Sequence, residues 1–239
     1  MSVTPAAPTA ATGGVVHGPG VQEVAELVAA LARVRFASRL AAGDAGLWGP
    51  AAREEAARRL GWLRLPVTSR PLVDEVTRLR AELAGDGLDH VVLAGMGGSS
   101  LAPEVMCRAG GVELTVVDST DPQQVRRVLA DRLGRTVLVV ASKSGTTAET
   151  DAQRRAFEQA FTAAGVDPAR RVIVVTDPGS PLEALAQERG YRCVRADPQV
   201  GGRYSALSAF GLVPAGLAGV DVGRLLDEAA SMAGLLGQD

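Results

Sequence analysis

Residues 136–150 read TVLVVASKSGTTAET, and this stretch decides the fold. Residues 136–140 form an unbroken run of β-branched and aliphatic side chains. Such a run predicts a strand covered on both faces of a sheet, because it has no solvent side toward which polar residues alternate. The strand is expected to stop at Ser142. Beyond the loop, Thr146 and Glu149 are spaced as a capping box, which predicts that a helix begins there.

The loop between that strand and that helix is rich in hydrogen-bond donors. Residues 142–147 read SKSGTT, with five hydroxyl or ammonium groups in six residues. Free backbone N–H groups and the positive end of the dipole converge at a helix N-terminus, so the pattern is typical of an anion site. Lys143 is the only lysine among the 25 lysines and arginines, which favours a need for a compact point charge. The alternative is an ordinary surface loop, in which Ser, Thr and Gly are common anyway.

Four further strands are predicted to alternate with helices. They are expected at residues 90–94, 113–117, 171–176 and 191–194. The alternation predicts a five-stranded, parallel, doubly wound sheet in a three-layer αβα sandwich, because right-handed crossovers place helices on both faces. In the flavodoxin-like strand order 2-1-3-4-5, the carboxyl ends of strands one and three flank one crevice. The loops at residues 95–100 and 142–147 are therefore predicted to face each other there.

Helices are also predicted on both sides of this α/β unit. The spacing of apolar residues predicts them at 21–42, 51–60, 69–83, 206–217 and 221–236. Two helix starts inside the α/β unit are predicted at Thr120, with Gln123, and at Ser180, with Pro181. We expect a mobile tail at 1–20, a helical segment at 21–87, an α/β domain at 88–200 and a helical extension at 201–239.

Composition excludes several kinds of partner. A chain of 239 residues that is 46% hydrophobic can bury the core of one or two domains. Its net charge of −2 gives no basic surface for nucleic acid. No apolar run approaches the ~20 residues needed to cross a bilayer, so no membrane partner is expected. Cys107 and Cys193 lack metal-ligand spacing, so we interpret both as core residues in a reducing cytoplasm and expect no metal.

A third polar stretch lies near the C-terminal end of the sequence. Residues 201–205 read GGRYS, and the paired glycines let the backbone turn tightly and project the guanidinium of Arg203. From these residues alone, an arginine that caps a helix or pairs with an acid is about equally compatible with the pattern.

Three stretches together resemble the phosphoglucose isomerase family, which belongs to the sugar isomerase (SIS) domain superfamily. They are GMGGSSLAP at 95–103, SKSGTTAET at 142–150 and GGRYSALSAFGL at 201–212. The resemblance extends from about Leu47 to the C-terminal end, and the occurrence of all three motifs in order makes it specific. It implies that the α/β domain is an SIS domain.

The resemblance also implies residue roles. It assigns the phosphate of a sugar phosphate to Ser142, Lys143, Ser144 and Thr147, with Ser99 and the backbone of Gly97 and Gly98 completing the pocket. It places Arg203 near the reacting C1 and C2 carbons, with Gly202 beside it and Glu149 in a supporting position behind the site. The implied reaction interconverts glucose 6-phosphate and fructose 6-phosphate through an enediolate, in glycolysis and gluconeogenesis, without a metal or an organic cofactor.

Two interpretations of the whole chain remain. In this family the carboxylate base, the ring-opening histidine and a further lysine lie in a second SIS domain, downstream of Asp239. The chain is then the N-terminal half of such an isomerase and needs a second SIS half or a homodimer partner. Alternatively, it is a stand-alone sugar-phosphate-binding domain, a sensor or regulator without turnover. The apolar face of the last helix, including Leu235 and Leu236, favours the first interpretation because it predicts a partner surface.

Overall fold

Helices precede the sheet in the computed structural model, which describes Gly18 and residues 20–239. The tail predicted at residues 1–20 therefore lies almost entirely outside the described residues. The helices before the sheet are α1 (Val21–Arg33), α2 (Phe36–Ala41), α3 (Arg53–Arg59), α4 (Leu65–Thr68) and α5 (Pro71–Gly85).

The first two predicted helices differ from the observed elements. The single helix predicted over residues 21–42 is wrong, because Arg35 adopts a left-handed conformation with φ of 53° and separates α1 from α2. A right-handed helix cannot continue through that conformation. The helix predicted at 51–60 is shorter than expected, since 3₁₀ turns at Pro50–Ala52 and Leu60–Arg64 flank α3. The helix predicted at 69–83 is confirmed as α5.

The sheet has the predicted strand order. Its strands are β1 (His90–Gly95), β2 (Thr115–Val117), β3 (Thr136–Ala141), β4 (Val172–Thr176) and β5 (Arg192–Arg195). They are arranged β2-β1-β3-β4-β5, and every neighbouring pair is parallel. All residues of β1, β3 and β4 are buried. These three strands thus form the covered centre of the sheet, and the burial predicted for residues 136–140 is confirmed in β3.

Helices cover both faces of this sheet. The helices within and after it are α6 (Leu101–Ala109), α7 (Pro122–Ala130), α8 (Ala148–Ala163), α9 (Pro181–Arg189), α10 (Ala209–Ala218) and α11 (Val222–Leu236). Because successive strand residues point to opposite faces, Leu93 joins a core with Phe210 of α10, whereas Val92 joins a core with Phe157 of α8. The three-layer αβα sandwich is confirmed.

Two predicted helix caps are wrong and one is correct. Helix α8 begins after Thr147, not Thr146, and has no side-chain cap, so Thr146 and Glu149 form no capping box. Helix α7 is capped by Asp121 rather than Thr120; the Asp121 carboxylate accepts the Gln123 N–H. The predicted cap of α9 is confirmed, because the Ser180 hydroxyl oxygen accepts the Glu183 N–H at 3.1 Å.

Two kinds of feature are absent from the part of the chain that the structure describes. None of its helices combines the length and the apolar character needed to traverse a bilayer. Nor does any group of three or more His, Cys, Asp or Glu side chains within this part converge as metal ligands would.

Candidate functional site

The loops that follow β1 and β3 leave the sheet side by side. Gly95, the last residue of β1, is the register partner of Ala141, the last residue of β3. A Cβ atom on Gly95 would lie 3.3 Å from the Ala141 carbonyl oxygen and 3.3 Å from Cβ of Ser99. Residues 95–100 and 142–147 therefore start at one point of the carboxyl edge, as the strand order predicts.

Hydrogen bonds within the loop at 142–147 organise its hydroxyl groups. Buried Ser142 shares a hydrogen bond with Thr147 through Oγ and Oγ1, 2.9 Å apart, and its Oγ also accepts the Gly145 N–H at 3.2 Å. Ser144 is exposed, and its Oγ lies 2.9 Å from Oγ1 of Thr146. Thr146 is thus engaged inside the loop, which explains why it does not cap α8.

Gly145 allows this loop to pack against the start of α9. Its φ is +70°, a conformation that side chains with a Cβ rarely adopt. A Cβ there would also lie 2.8 Å from the backbone N of Leu182 and 3.1 Å from Cβ of Ser180. Both the backbone angle and the space therefore require glycine.

Lys143 has a partner that the sequence interpretation missed. Its Nζ lies 2.5 Å from Oδ2 of Asp177, the first residue after β4. The two side chains are 26% and 16% exposed. The available sequence signal was an acidic residue at the carboxyl end of the strand next to β3, because neighbouring parallel strands end at the same edge.

An ionised carboxylate holds the turn that carries Asp177. Glu183 accepts the Gly179 N–H at 2.6 Å and Nε of Arg195 at 2.5 Å. The hydrogen bond from Gly179, followed by that from Arg195, holds the pKa of the Glu183 carboxyl below its usual value. Glu183 therefore remains anionic at neutral pH and fixes this turn.

The third polar stretch touches the first. Residues Gly202–Tyr204 form a 3₁₀ turn, and a Cβ on Gly98 would overlap the Gly202 carbonyl oxygen. Ser205 Oγ donates to the carbonyl oxygen of Gly202 at 2.7 Å and to that of Gly98 at 3.4 Å. The loops at 95–100 and 201–205 are thus in direct backbone contact.

Arg203 is exposed on this third loop. Within the described residues it makes no ion pair and no side-chain hydrogen bond, so neither alternative interpretation of Arg203, a helix cap or an acid pair, is seen. Its neighbour Tyr204 stacks on Trp62 with ring centroids 5.2 Å apart. This contact packs the loop against the N-terminal helical segment, which contains Trp62.

Glu149 follows the donor-rich loop in the sequence. It is half-buried in the first turn of α8, where it lines a cavity of about 280 Å³ together with Ser119, Thr120 and Gln153. Helix α8 has no side-chain cap, so Glu149 does not act as one. The supporting role of Glu149 at the site stays a prediction.

Substitution of Gly98 tests the contact between two of the loops. We expect Gly98→Ala to lower the free energy of unfolding by about 1–3 kcal/mol, because its Cβ would overlap the backbone of Gly202. The overlapping atoms belong to the backbone and not to the end of a flexible side chain, so they cannot easily move away. Chemical denaturation measures this loss. Gly85→Ala is the matched control, since nothing lies within 4 Å of a Cβ at that helical position. Equal stability of the two variants would contradict the contact.

Comparison with known proteins gives one consistent result. The sequence profile of the family described as phosphoglucose isomerase matches residues 75–234. A glucose-6-phosphate isomerase of Thermus thermophilus is 40% identical over 182 residues, which cover 74% of this chain and 43% of that relative.

Solved structures agree with the sequence comparison. A crystal structure described as a hypothetical protein from Thermus thermophilus matches with a TM-score of 0.72 and 34% identity, covering 89% of this chain and 49% of the other. A glucose-6-phosphate isomerase from Chlamydia trachomatis matches with a TM-score of 0.59 and 27% identity, covering 84% of this chain and 40% of the other. The present chain thus spans about half the length, or less, of these three relatives.

Proposed function

Because this chain belongs to the phosphoglucose isomerase family, we propose that it supplies the phosphate pocket and the active-site arginine of a glucose-6-phosphate isomerase. The reaction is the reversible isomerisation of glucose 6-phosphate and fructose 6-phosphate. In this proposal it needs no metal or organic cofactor, and it takes place in the cytoplasm. The α/β domain at 88–200 would be the first SIS domain, and the extension at 201–239 would lead toward a second.

The observation that carries this proposal is the convergence of three polar loops at one edge of the sheet. The loops at 95–100 and 142–147 leave adjacent strand ends, and the loop at 201–205 touches the first of them at Gly98. If these stretches were unrelated surface loops, there would be no reason to expect contacts between them. In this proposal, one small ligand contacts all three loops.

The phosphate is proposed to bind between the first two loops. Ser144 and Lys143 present donors there, with Ser99 and the backbone of Gly97 and Gly98 on the other side. Ser142 and Thr147 hold each other at 2.9 Å and so shape the loop in addition to any direct contact. Charge-assisted hydrogen bonds of about 1.5–3 kcal/mol each would anchor the end of the substrate that does not react. That anchoring positions the carbons that do react.

Arg203 is proposed to act at the other end of the sugar. Proton transfer between C1 and C2 passes through an enediolate, whose oxygens carry negative charge. A permanently charged guanidinium beside them lowers the barrier. Its exposure and its freedom from ion pairs within the described residues leave it available for this role. The carboxylate base is proposed to come from the second SIS domain, and a second SIS half or a homodimer partner would complete the site.

A turnover assay tests the proposal. Fructose 6-phosphate is supplied to the purified chain alone and to the chain mixed with the C-terminal half of the Thermus relative, and glucose 6-phosphate is detected through a coupled dehydrogenase. We expect binding without turnover by the chain alone and isomerisation only after mixing. Binding without turnover in both samples would support a sugar-phosphate sensor or regulator instead. Failure to bind fructose 6-phosphate at all would contradict both functions.

A further inference from the structure

Arg203 lies on a short exposed span of chain between two buried residues. Val200 and Ser205 are each 2% exposed, whereas all three residues at 202–204 are exposed. Arg203 itself makes no ion pair and no side-chain hydrogen bond within the described residues. The direction of its guanidinium therefore depends on how firmly the backbone of this span is held.

Two contacts hold this span to the rest of the chain. One is the backbone contact with Gly98, where a Cβ would overlap the span. In the other, the ring of Tyr204 stacks on Trp62, with centroids 5.2 Å apart and planes inclined by 19°. The Tyr204 N–H donates to the Gly201 carbonyl oxygen at 2.9 Å, across the turn that carries Arg203. A shift of the Tyr204 ring would therefore move this turn and the guanidinium with it.

Trp62 is itself firmly placed. It lies in the 3₁₀ turn Leu60–Arg64, and the residues at 65–66, which follow directly, are buried. A Cβ on the neighbouring Gly61 would lie 3.0 Å from Cβ and 3.2 Å from the carbonyl oxygen of Gln199. The turn that carries Trp62 thus packs against the chain leading into the exposed span, and it offers the stacked ring a fixed base.

We propose that Trp62 is a positioning residue, which holds the turn that directs the Arg203 guanidinium toward the reacting end of the sugar. The inference rests on the proposed function, because it concerns the same arginine. The stack keeps the turn ordered before a ligand arrives. Without the stack, a ligand that needs the guanidinium must order the turn as it binds, and its affinity falls by up to the energy of the stack. A ligand that does not need the guanidinium loses little.

Two ligands with the same phosphate separate the placement of Arg203 from a general loss of structure. A five-carbon aldonic acid 5-phosphate has a carboxylate where the enediolate would form, so it needs the guanidinium, whereas fructose 6-phosphate in its ground state does not. Partial unfolding would weaken both ligands equally. The ratio of their dissociation constants therefore reports how well Arg203 is placed.

The test measures both dissociation constants by calorimetry for the wild-type chain, Trp62→Ala, Trp62→Phe and Trp48→Ala. We expect Trp62→Ala to weaken binding of the aldonic acid phosphate by about 3- to 10-fold, the equivalent of one aromatic pair, while fructose 6-phosphate binds as before. Trp62→Phe keeps a ring and should restore most of the affinity. Trp48→Ala is the matched control and should match the wild type, because Trp48 is an exposed tryptophan of the same helical segment without an aromatic partner among the described residues.

Two further variants show whether the effect passes through Arg203. In the Arg203→Ala background, Trp62→Ala should not change the ratio again, because the guanidinium that it positions is gone. Tyr204→Ala removes the other ring of the stack at an exposed residue, so it should reproduce the change if Trp62→Ala fails to fold.

An unchanged ratio, an equal weakening of both ligands, or the same loss in Trp62→Phe as in Trp62→Ala would overturn the inference. So would a further change of the ratio in the Arg203→Ala background. In any of these cases, weaker binding of the aldonic acid phosphate by Arg203→Ala alone would still support the proposed function. If the wild type binds neither ligand, both the inference and the proposed function are overturned.

Discussion

Replacement of Lys143 by methionine is expected to weaken binding of fructose 6-phosphate by about 10- to 150-fold, which corresponds to the loss of one charge-assisted hydrogen bond. The upper end of this range is favoured, because Asp177 then remains as an unpaired negative charge next to the phosphate. In the isomerase reconstituted by mixing, KM should rise and kcat should also fall, because binding energy from the non-reacting phosphate positions the reacting carbons. Calorimetry and steady-state kinetics measure the two effects.

A double variant controls for the orphaned carboxylate. Lys143→Met combined with Asp177→Asn should bind fructose 6-phosphate more tightly than Lys143→Met alone. The double variant loses the attraction between Lys143 and the phosphate, but it also loses the repulsion between Asp177 and the phosphate. A KM that stays at the wild-type value in Lys143→Met would contradict the assignment of the phosphate to this loop.

Replacement of Arg203 by alanine is expected to reduce kcat of the reconstituted isomerase by about 10²- to 10³-fold while KM changes little. The reason is that the guanidinium is proposed to contact charge that develops only in the enediolate, so ground-state binding does not depend on it. Because Arg203 makes no ion pair within the described residues, its removal leaves no orphaned acid there. The fold should therefore be unaffected, which thermal denaturation can verify.

A binding measurement isolates this effect from turnover. A five-carbon aldonic acid 5-phosphate carries a planar carboxylate where the enediolate would form, so Arg203→Ala should weaken its binding far more than that of fructose 6-phosphate. Arg192→Ala is the matched control, because Arg192 is an exposed arginine that pairs with Glu82 away from the three loops. An equal loss for both ligands, or a rise in KM at constant kcat, would show that Arg203 binds the ground state instead.

Local patterns predicted the elements that depend on local physics. The apolar run at residues 136–140 predicted that β3 is a covered strand, and the alternation of strands with helices predicted the order β2-β1-β3-β4-β5. The break at Arg35 was missed, because an arginine in the left-handed conformation has no sequence signal of the kind that glycine provides. The cap at Thr146 was wrong because its hydroxyl is engaged by Ser144 within the loop, a competition that spacing alone does not reveal.

The sequence by itself determined the fold class, the family resemblance and which three loops carry polar residues. Each of these rests on a pattern of residues that lie close together in the sequence: an apolar run, a helical spacing or a short motif. Only the tertiary structure decided what those residues touch. The Lys143–Asp177 pair spans 34 residues, and the contact of Gly98 with Gly202 joins opposite ends of the α/β unit. Such contacts depend on where strand ends and loops meet in three dimensions, which no local pattern encodes.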